Sequence, residues 1–272
     1  MDRIDYIREA ISIYDFSNAS ILDAGTGKSS ARFLVDLKPK VLTCVAFTGD
    51  IRKGKTTEEI LQLADNYQYK VIYGDLADSK LFSDNSFDFI LADQLLGELA
   101  VSKVMPTLEN FYRWLSPGGK VFIADREFYQ KPEIQYEYVS MGETKGNANL
   151  SVRSNQDIVE LIGLFLAIPK EIILFDGKER NFDYPSLWIS LWLGHVGYKK
   201  IAQSFFESEI SLKKEFLGRL EWARQRIGGI TNRDLKSGLL KELEILVNEF
   251  DGRNIGDEEV FLRKYFFFQA EK

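Results

Sequence analysis

Five short apolar runs in the first 125 residues alternate with stretches of helical spacing, and few folds accept that alternation. The runs are "SILDA" (20 to 24), "KVLTCVAF" (40 to 47), "YKVIYGD" (69 to 75), "FDFILAD" (87 to 93) and "KVFIAD" (120 to 125), rich in Val, Ile and Phe and several closing on Asp. Helical candidates lie between them at 29 to 37, 56 to 66 and 102 to 115. Strands that take turns with helices build a parallel sheet, with right-handed crossovers as the default. Ahead of them, Ile4, Ile7, Ile11 and Tyr14 recur at helical spacing, which predicts an amphipathic leading helix ending near "FSNAS".

The second half is less regular. Residues 126 to 150 are polar and aromatic without a period and read as a long loop or lid. Helices are expected at 155 to 168, 185 to 195, 210 to 227 and 234 to 250, with strands at 198 to 207 and 259 to 272. The expected fold is a doubly wound, mostly parallel seven-stranded α/β sheet with helices on both faces, plus helical and lid insertions in the C-terminal half. Its 272 residues read as one domain, with a lid-like insertion at 126–184 and a C-terminal half, 185–272, that carries a helical insertion at 210–250.

A single cysteine (Cys44) and a single histidine (His195) exclude a disulfide framework, a cysteine-rich zinc site and any site built on two imidazoles. Charges recur through "MDRIDYIREAISIYDF", unlike a signal or transit peptide, and the apolar run "IVELIGLFLAIP" stops at Pro169, short of spanning length. The expectation is a cytoplasmic, soluble protein. A net charge of −6 disfavours a nucleic-acid partner.

Two glycine motifs compete for the functional reading. "GDIRKGKT" satisfies the phosphate-loop pattern through Gly49, Gly54, Lys55 and Thr56, but its interior, Asp50-Ile51-Arg52-Lys53, is bulky and places a carboxylate where an anion must sit. "ILDAGTGKS" ends in the tail of such a loop, yet Leu22 stands at the first glycine position. There Ile21 and Leu22 close a buried strand, Asp23 stands at its C-terminal edge, and Gly25-Thr26-Gly27 lets the backbone turn beside a ligand.

Three motifs in order carry a resemblance. "LDAGTGKS", then "YGDLADSKLFSDNSFDFIL" with Gly74-Asp75-Leu76, then "LSPGGKVFIAD" with Pro117-Gly118-Gly119, resemble class I S-adenosylmethionine-dependent methyltransferases, closely over 1 to 125 and loosely over 185 to 207 and the last strand. The resemblance makes 1–125 the cofactor-binding half. It implies that Asp23, Gly25, Thr26 and Gly27 flank the methionine part of S-adenosyl-L-methionine, that Asp75 accepts from the adenine amine beside the Leu76 backbone, and that Asp93 and Gln94 face the methyl donor and the acceptor. The acid that usually holds the ribose hydroxyls is missing near Ala46 to Thr48; Asp50 is the nearest candidate. Ser29 takes the third glycine position of the turn.

Other roles weigh against these. Asp23 also suits a helix N-cap, Asp75 a turn, and Asp125 with Arg126 a surface ion pair. His195 shares a helical face with Trp188, Leu191 and Trp192, where packing or C-capping competes with service as a base. Asp93, Glu98, His195 and the tyrosines of the presumed lid (Tyr129, Tyr136, Tyr138, near Glu143) are the candidate catalytic groups. Basic residues along 211 to 229 (Lys213, Lys214, Arg219, Arg224, Arg226) read as a solvated face or an anion patch.

"ADQL" stands where amino-directed nucleic-acid methyltransferases carry a "DPPY"-like tetrad. The expected activity is methyl transfer to O, N or C of a small molecule, with a protein acceptor and a homodimer as open options and no metal. The residues also leave open a nucleoside triphosphatase using Gly49 to Thr56, or a non-catalytic binding module.

Overall fold

A computed structural model describes residues 2–46, 69–127, 155–164, 184–230, 232–253 and 255–272. The expected helix at 56 to 66, the loop at 126 to 150 beyond Glu127, the "GDIRKGKT" motif with Asp50, and the tyrosines 129, 136 and 138 lie outside the described residues.

Seven strands form one sheet in the order β3-β2-β1-β4-β5-β7-β6. They are β1 (Ser20–Ala24), β2 (Val41–Ala46), β3 (Tyr69–Tyr73), β4 (Phe87–Asp93), β5 (Leu115–Arg126), β6 (Lys199–Ser211) and β7 (Val260–Glu271). The first five pair in parallel, and β7 runs antiparallel to β5. β5 starts earlier than expected because Leu115 already pairs with Phe87, so the glycine pair Gly118-Gly119 lies within the strand. Gly119 fits only as glycine there, since a Cβ would lie 2.9 Å from the Asp88 carbonyl oxygen.

The alternation read from the sequence becomes two covered faces. On one, α1 (Arg3–Ile11) and α2 (Lys28–Asp36) bring Ile7, Ile11, Phe33 and Leu34 onto Ile21, Leu42, Leu91 and Phe122. Phe89, Phe122 and Phe267 stack across β4, β5 and β7 at 5.9 Å and 6.1 Å between ring centres, each pair adding about 1 kcal/mol beyond its buried area. On the other face, α3 (Val101–Trp114) supplies Val104, Leu108 and Phe111 at i, i+4 and i+7, and α5 (Ser186–Val196) supplies Ile189 and Leu193. Gly197 ends α5 in the left-handed region at φ 108°, its N–H donating to the Leu193 and Gly194 carbonyls.

The chain divides into two compact units: 1–127 with 183–208 and 264–272, and 128–182 with 209–263. In the second, α4 (Asn155–Leu164), α6 (Leu212–Gly228) and α7 (Arg233–Asp251) pack Ile158, Ile162, Phe216, Leu220, Ile227, Leu243 and Phe250 into a core of their own. Phe216 and Phe250 stack at 3.6 Å. The basic face expected on α6 is divided. Arg219 is buried, held by Glu215 at 2.9 Å and by the Val159 carbonyl at 2.9 Å, while Lys213 pairs with Asp257 at 2.8 Å. Arg219 and Lys213 thus hold their own unit together, while Lys214 and Arg224 are exposed.

Candidate functional site

The order of the sheet reverses between β1 and β4: the chain runs outward through β2 and β3, then returns to the far side of β1. Loops leave such a pair in opposite directions, and a crevice opens beyond the strand ends. The register sets Asp23 beside Leu91. Asp93, two residues on, therefore projects from the same face of the sheet as Asp23.

Both carboxylates are buried and only half satisfied. Asp23 Oδ2 accepts from Ser30 Oγ at 3.1 Å, and no partner among the described residues reaches Oδ1. Burial pushes the Asp23 carboxyl up to about 8, with the Ser30 bond opposing and the charge of Asp93 adding. Asp93 Oδ2 pairs with the Arg3 guanidinium at 3.2 Å, while its Oδ1 stays unmatched among the described residues. Burial lifts this carboxyl to about 6 against the pull of Arg3. The guanidinium completes the set, because Arg3 Nε is itself buried with no acceptor among the described residues.

An unmatched buried polar atom costs about 1–3 kcal/mol. Two such carboxylate oxygens, at the ends of β1 and β4, and one such guanidinium nitrogen are left unmatched among the described residues, a set that a zwitterion would complement. Its ammonium would face Asp23 and Asp93, and its carboxylate Arg3. The free amino-acid end of a methionine derivative has that chemistry.

The turn after β1 is shaped for close approach. Gly25 sits at φ +77°, where a Cβ would stand 2.7 Å from Leu95 Cδ1. Thr26 anchors the turn on both sides: its N–H donates to the Val45 carbonyl at 2.9 Å, its Oγ1 to the Asp23 carbonyl at 2.9 Å. Gly27, in extended backbone, is the N-cap of α2, and its N–H donates to Ser30 Oγ at 3.2 Å. The cap position is thus occupied, and Asp23 does not serve as one.

Asp75 follows β3, two strands from β1. Burial works against its charge, but Lys103 Nζ at 2.6 Å and the Ala77 N–H at 3.0 Å outweigh that and hold its carboxyl below the usual range. It is both the turn former that its sequence suggested and an oriented carboxylate. Leu76 is buried, and its carbonyl accepts from the buried Asn110 Nδ2 at 2.9 Å. That bond fixes the peptide beside Asp75.

Other candidates fall elsewhere. His195 is exposed on the last turn of α5, as are Trp188 and Leu191, so it is neither packed nor the group that ends the helix. Glu98 closes a short 3₁₀ turn, Leu96–Glu98, after β4. Asp125 is buried rather than on the surface, and accepts from the Gly97 N–H at 3.0 Å and from the Arg126 N–H at 2.8 Å. Arg3 and Lys103 were not marked as site residues by the sequence. Each is one cation among several on an amphipathic helix, and only the packing of α1 and α3 against the strand ends singles them out.

Residues 22–123 match a family model described as a methyltransferase domain. A search among curated proteins finds no match. Solved structures share the fold: a candidate methyltransferase of Bacillus halodurans at TM-score 0.60 and 13% identity, covering 99% of this chain and 98% of that one. A SAM-dependent methyltransferase of Archaeoglobus fulgidus follows at 0.52 and 11%, covering 99% and 92%. A phosphoethanolamine N-methyltransferase of Haemonchus contortus, solved with phosphomonomethylethanolamine and S-adenosylhomocysteine, aligns at 0.50 and 15%, over 99% of this chain and 52% of that one.

Proposed function

We propose, from the premise that the chain carries a class I S-adenosylmethionine-dependent methyltransferase domain with S-adenosylmethionine as its cofactor, that it methylates a nucleophilic O, N or C of a small molecule. The observation that carries the reading is the trio of unmatched buried atoms on Asp23, Asp93 and Arg3 at the switch point. When bound, the cofactor supplies an electrophilic methyl carbon on a sulfonium. The chain's own work is to hold, orient and exclude water.

In this reading Asp23 and Asp93 receive the ammonium, and Arg3 the carboxylate. Gly25 and Gly27 let the backbone lie against the ligand. Asp75, already turned by Lys103, accepts from the adenine amine, and Asp50 remains the candidate for the ribose hydroxyls. Support for a small acceptor comes from the acidic net charge and from the Haemonchus enzyme, in which a related fold holds a small phosphorylated amine. A macromolecular acceptor would need a broad complementary surface instead.

Calorimetric titration with S-adenosylmethionine, S-adenosylhomocysteine and Mg-ATP tests this. Both sulfur ligands are expected to bind and ATP not. Asp75→Ala should weaken both by about tenfold, the worth of one hydrogen bond to a charged acceptor. ATP binding that is indifferent to Asp75 and lost in Lys55→Ala would replace the reading with a phosphate loop at Gly49 to Thr56.

A further inference from the structure

On the opposite face of the sheet from Asp23 and Asp93, where β5 ends and the chain enters α5, the structure gathers acceptors that the proposed cofactor site leaves unused. Asp125 lies one residue past Ala124, the β5 partner of Asp93. Glu127 follows, its Oε1 accepting from the Ser186 N–H at 3.2 Å. That bond ties the strand exit to the segment holding Tyr184, a residue only 4% exposed. No partner among the described residues reaches Glu127 Oε2 or Tyr184 Oη, and both atoms are buried. Burial, reinforced by the charge of Asp125, pushes the Tyr184 phenol up to about 12. Beside it the Trp192 ring meets the Tyr184 ring edge-on at 5.5 Å.

We propose that Glu127, Asp125 and Tyr184 form the acceptor end of the active site and select a small molecule that carries an ammonium group, which anchors it by charge while a separate, unprotonated atom of the same molecule takes the methyl. The inference rests on the methyl-transfer reading and names the substrate class for it. Both carboxylates are acceptor-only groups and offer a donor-rich cation what it lacks. The Tyr184 hydroxyl can accept as well, and aromatic faces next to carboxylates suit an alkylated ammonium. A carboxylate or phenolate at the same place would meet Asp125 and Glu127 head-on. A neutral alcohol would bring no positive charge to these carboxylates. Asp125 already receives two backbone N–H groups, so it supplies the field, and Glu127 Oε2 supplies the open contact. The place also fits the chemistry of the neighbouring strand: the Gln94 N–H donates to the Ala124 carbonyl at 2.7 Å, so the ends of β4 and β5 are held side by side.

Three probes of equal size separate the alternatives: ethanolamine, ethylene glycol and glycolate, each titrated into the full chain by saturation-transfer NMR with and without saturating S-adenosylhomocysteine. Ethanolamine is expected to bind at least tenfold more tightly than the other two. Glu127→Gln, which keeps the acceptor for the Ser186 N–H, should erase that preference while S-adenosylhomocysteine affinity stays within twofold of the unmodified protein. Tyr184→Phe should weaken ethanolamine severalfold and leave the melting temperature unchanged or higher, since it removes an unmatched buried hydroxyl. Equal binding of the three probes, or an ethanolamine preference untouched in Glu127→Gln, overturns the proposal. Absence of S-adenosylhomocysteine binding in the unmodified protein strikes the methyl-transfer reading instead, and the titration without that ligand still decides the amine site.

Discussion

Asp23→Asn is expected to lower S-adenosylhomocysteine affinity by at least a hundredfold at pH 8 while leaving the ligand-free protein more stable than the parent at that pH. The two effects share one cause. In the free protein, burial holds the Asp23 carboxyl at about 8, so it keeps a proton that the unfolded chain gives up near 4. Between those values the folded state binds more protons than the unfolded one, and stability therefore falls as pH rises, by about 1 kcal/mol for each pH unit. An amide at the same place does not titrate. The melting temperature of the variant should be flat from about pH 7 to 8, above the range in which Asp93 titrates, where the parent's still declines. A ligand ammonium reverses the preference, because it stabilises the carboxylate form. Binding to the parent should then release close to one proton near pH 7 and tighten as pH rises from 6 to 8. Calorimetry in buffers of different ionisation heat counts that proton. If the Asp23→Asn variant binds as tightly as the parent, or if no proton is released, Asp23 does not meet the ammonium.

The contrast between Asp23 and Arg3 shows which parts of this site a sequence exposes. Asp23 lies in a strand-turn-helix whose glycines constrain the backbone, so local pattern alone placed it at the strand end. The same holds for Asp75, pinned between β3 and a turn that its own side chain closes. Arg3 reaches the site because Ile7 and Ile11 bury α1 against β1 and β2. Periodicity predicted that face of the helix, but nothing in it says which strand edge the first turn will overhang. The packing expected of His195 failed for a related reason: spacing put it with Trp188, Leu191 and Trp192, yet Trp188 and Leu191 on that face are exposed and α5 buries Ile189 and Leu193 instead. A helix as apolar as "SLWISLWLGHV" offers two faces that could be the core, and pattern cannot choose between them. The inner parallel strands β1, β2, β4 and β5, buried over most of their length, carry near-continuous apolar runs, and these and the edge strand β3, whose Lys70 and Tyr73 are exposed, were located to within a few residues. The start of β5 was the exception, because a Pro-Gly-Gly sequence reads as a turn even where the chain is already paired.

Gly25→Val is expected to abolish ligand binding and to destabilise the fold by about 3 kcal/mol or more. Two independent penalties act on it. The residue sits at φ +77°, where a β-branched side chain is strained. Any Cβ also meets Leu95 Cδ1 at 2.7 Å, so that buried side chain must move. The smaller Gly25→Ala separates the two. Its backbone strain amounts to about 1 kcal/mol, and the contact with Leu95 adds to it. Urea unfolding of Gly25→Ala, Leu95→Ala and the double variant forms a cycle in which the double loses less than the sum of the singles, by about 1 kcal/mol, because the shortened Leu95 no longer opposes the methyl group. S-adenosylhomocysteine affinity then tells what the glycine does for the ligand. Affinity in the double variant equal to that of Leu95→Ala alone would mean that Gly25 matters because the turn must pass close to Leu95. Affinity still lost in the double variant would mean that the left-handed turn itself presents the backbone to the ligand, and that no repacking behind it substitutes for glycine.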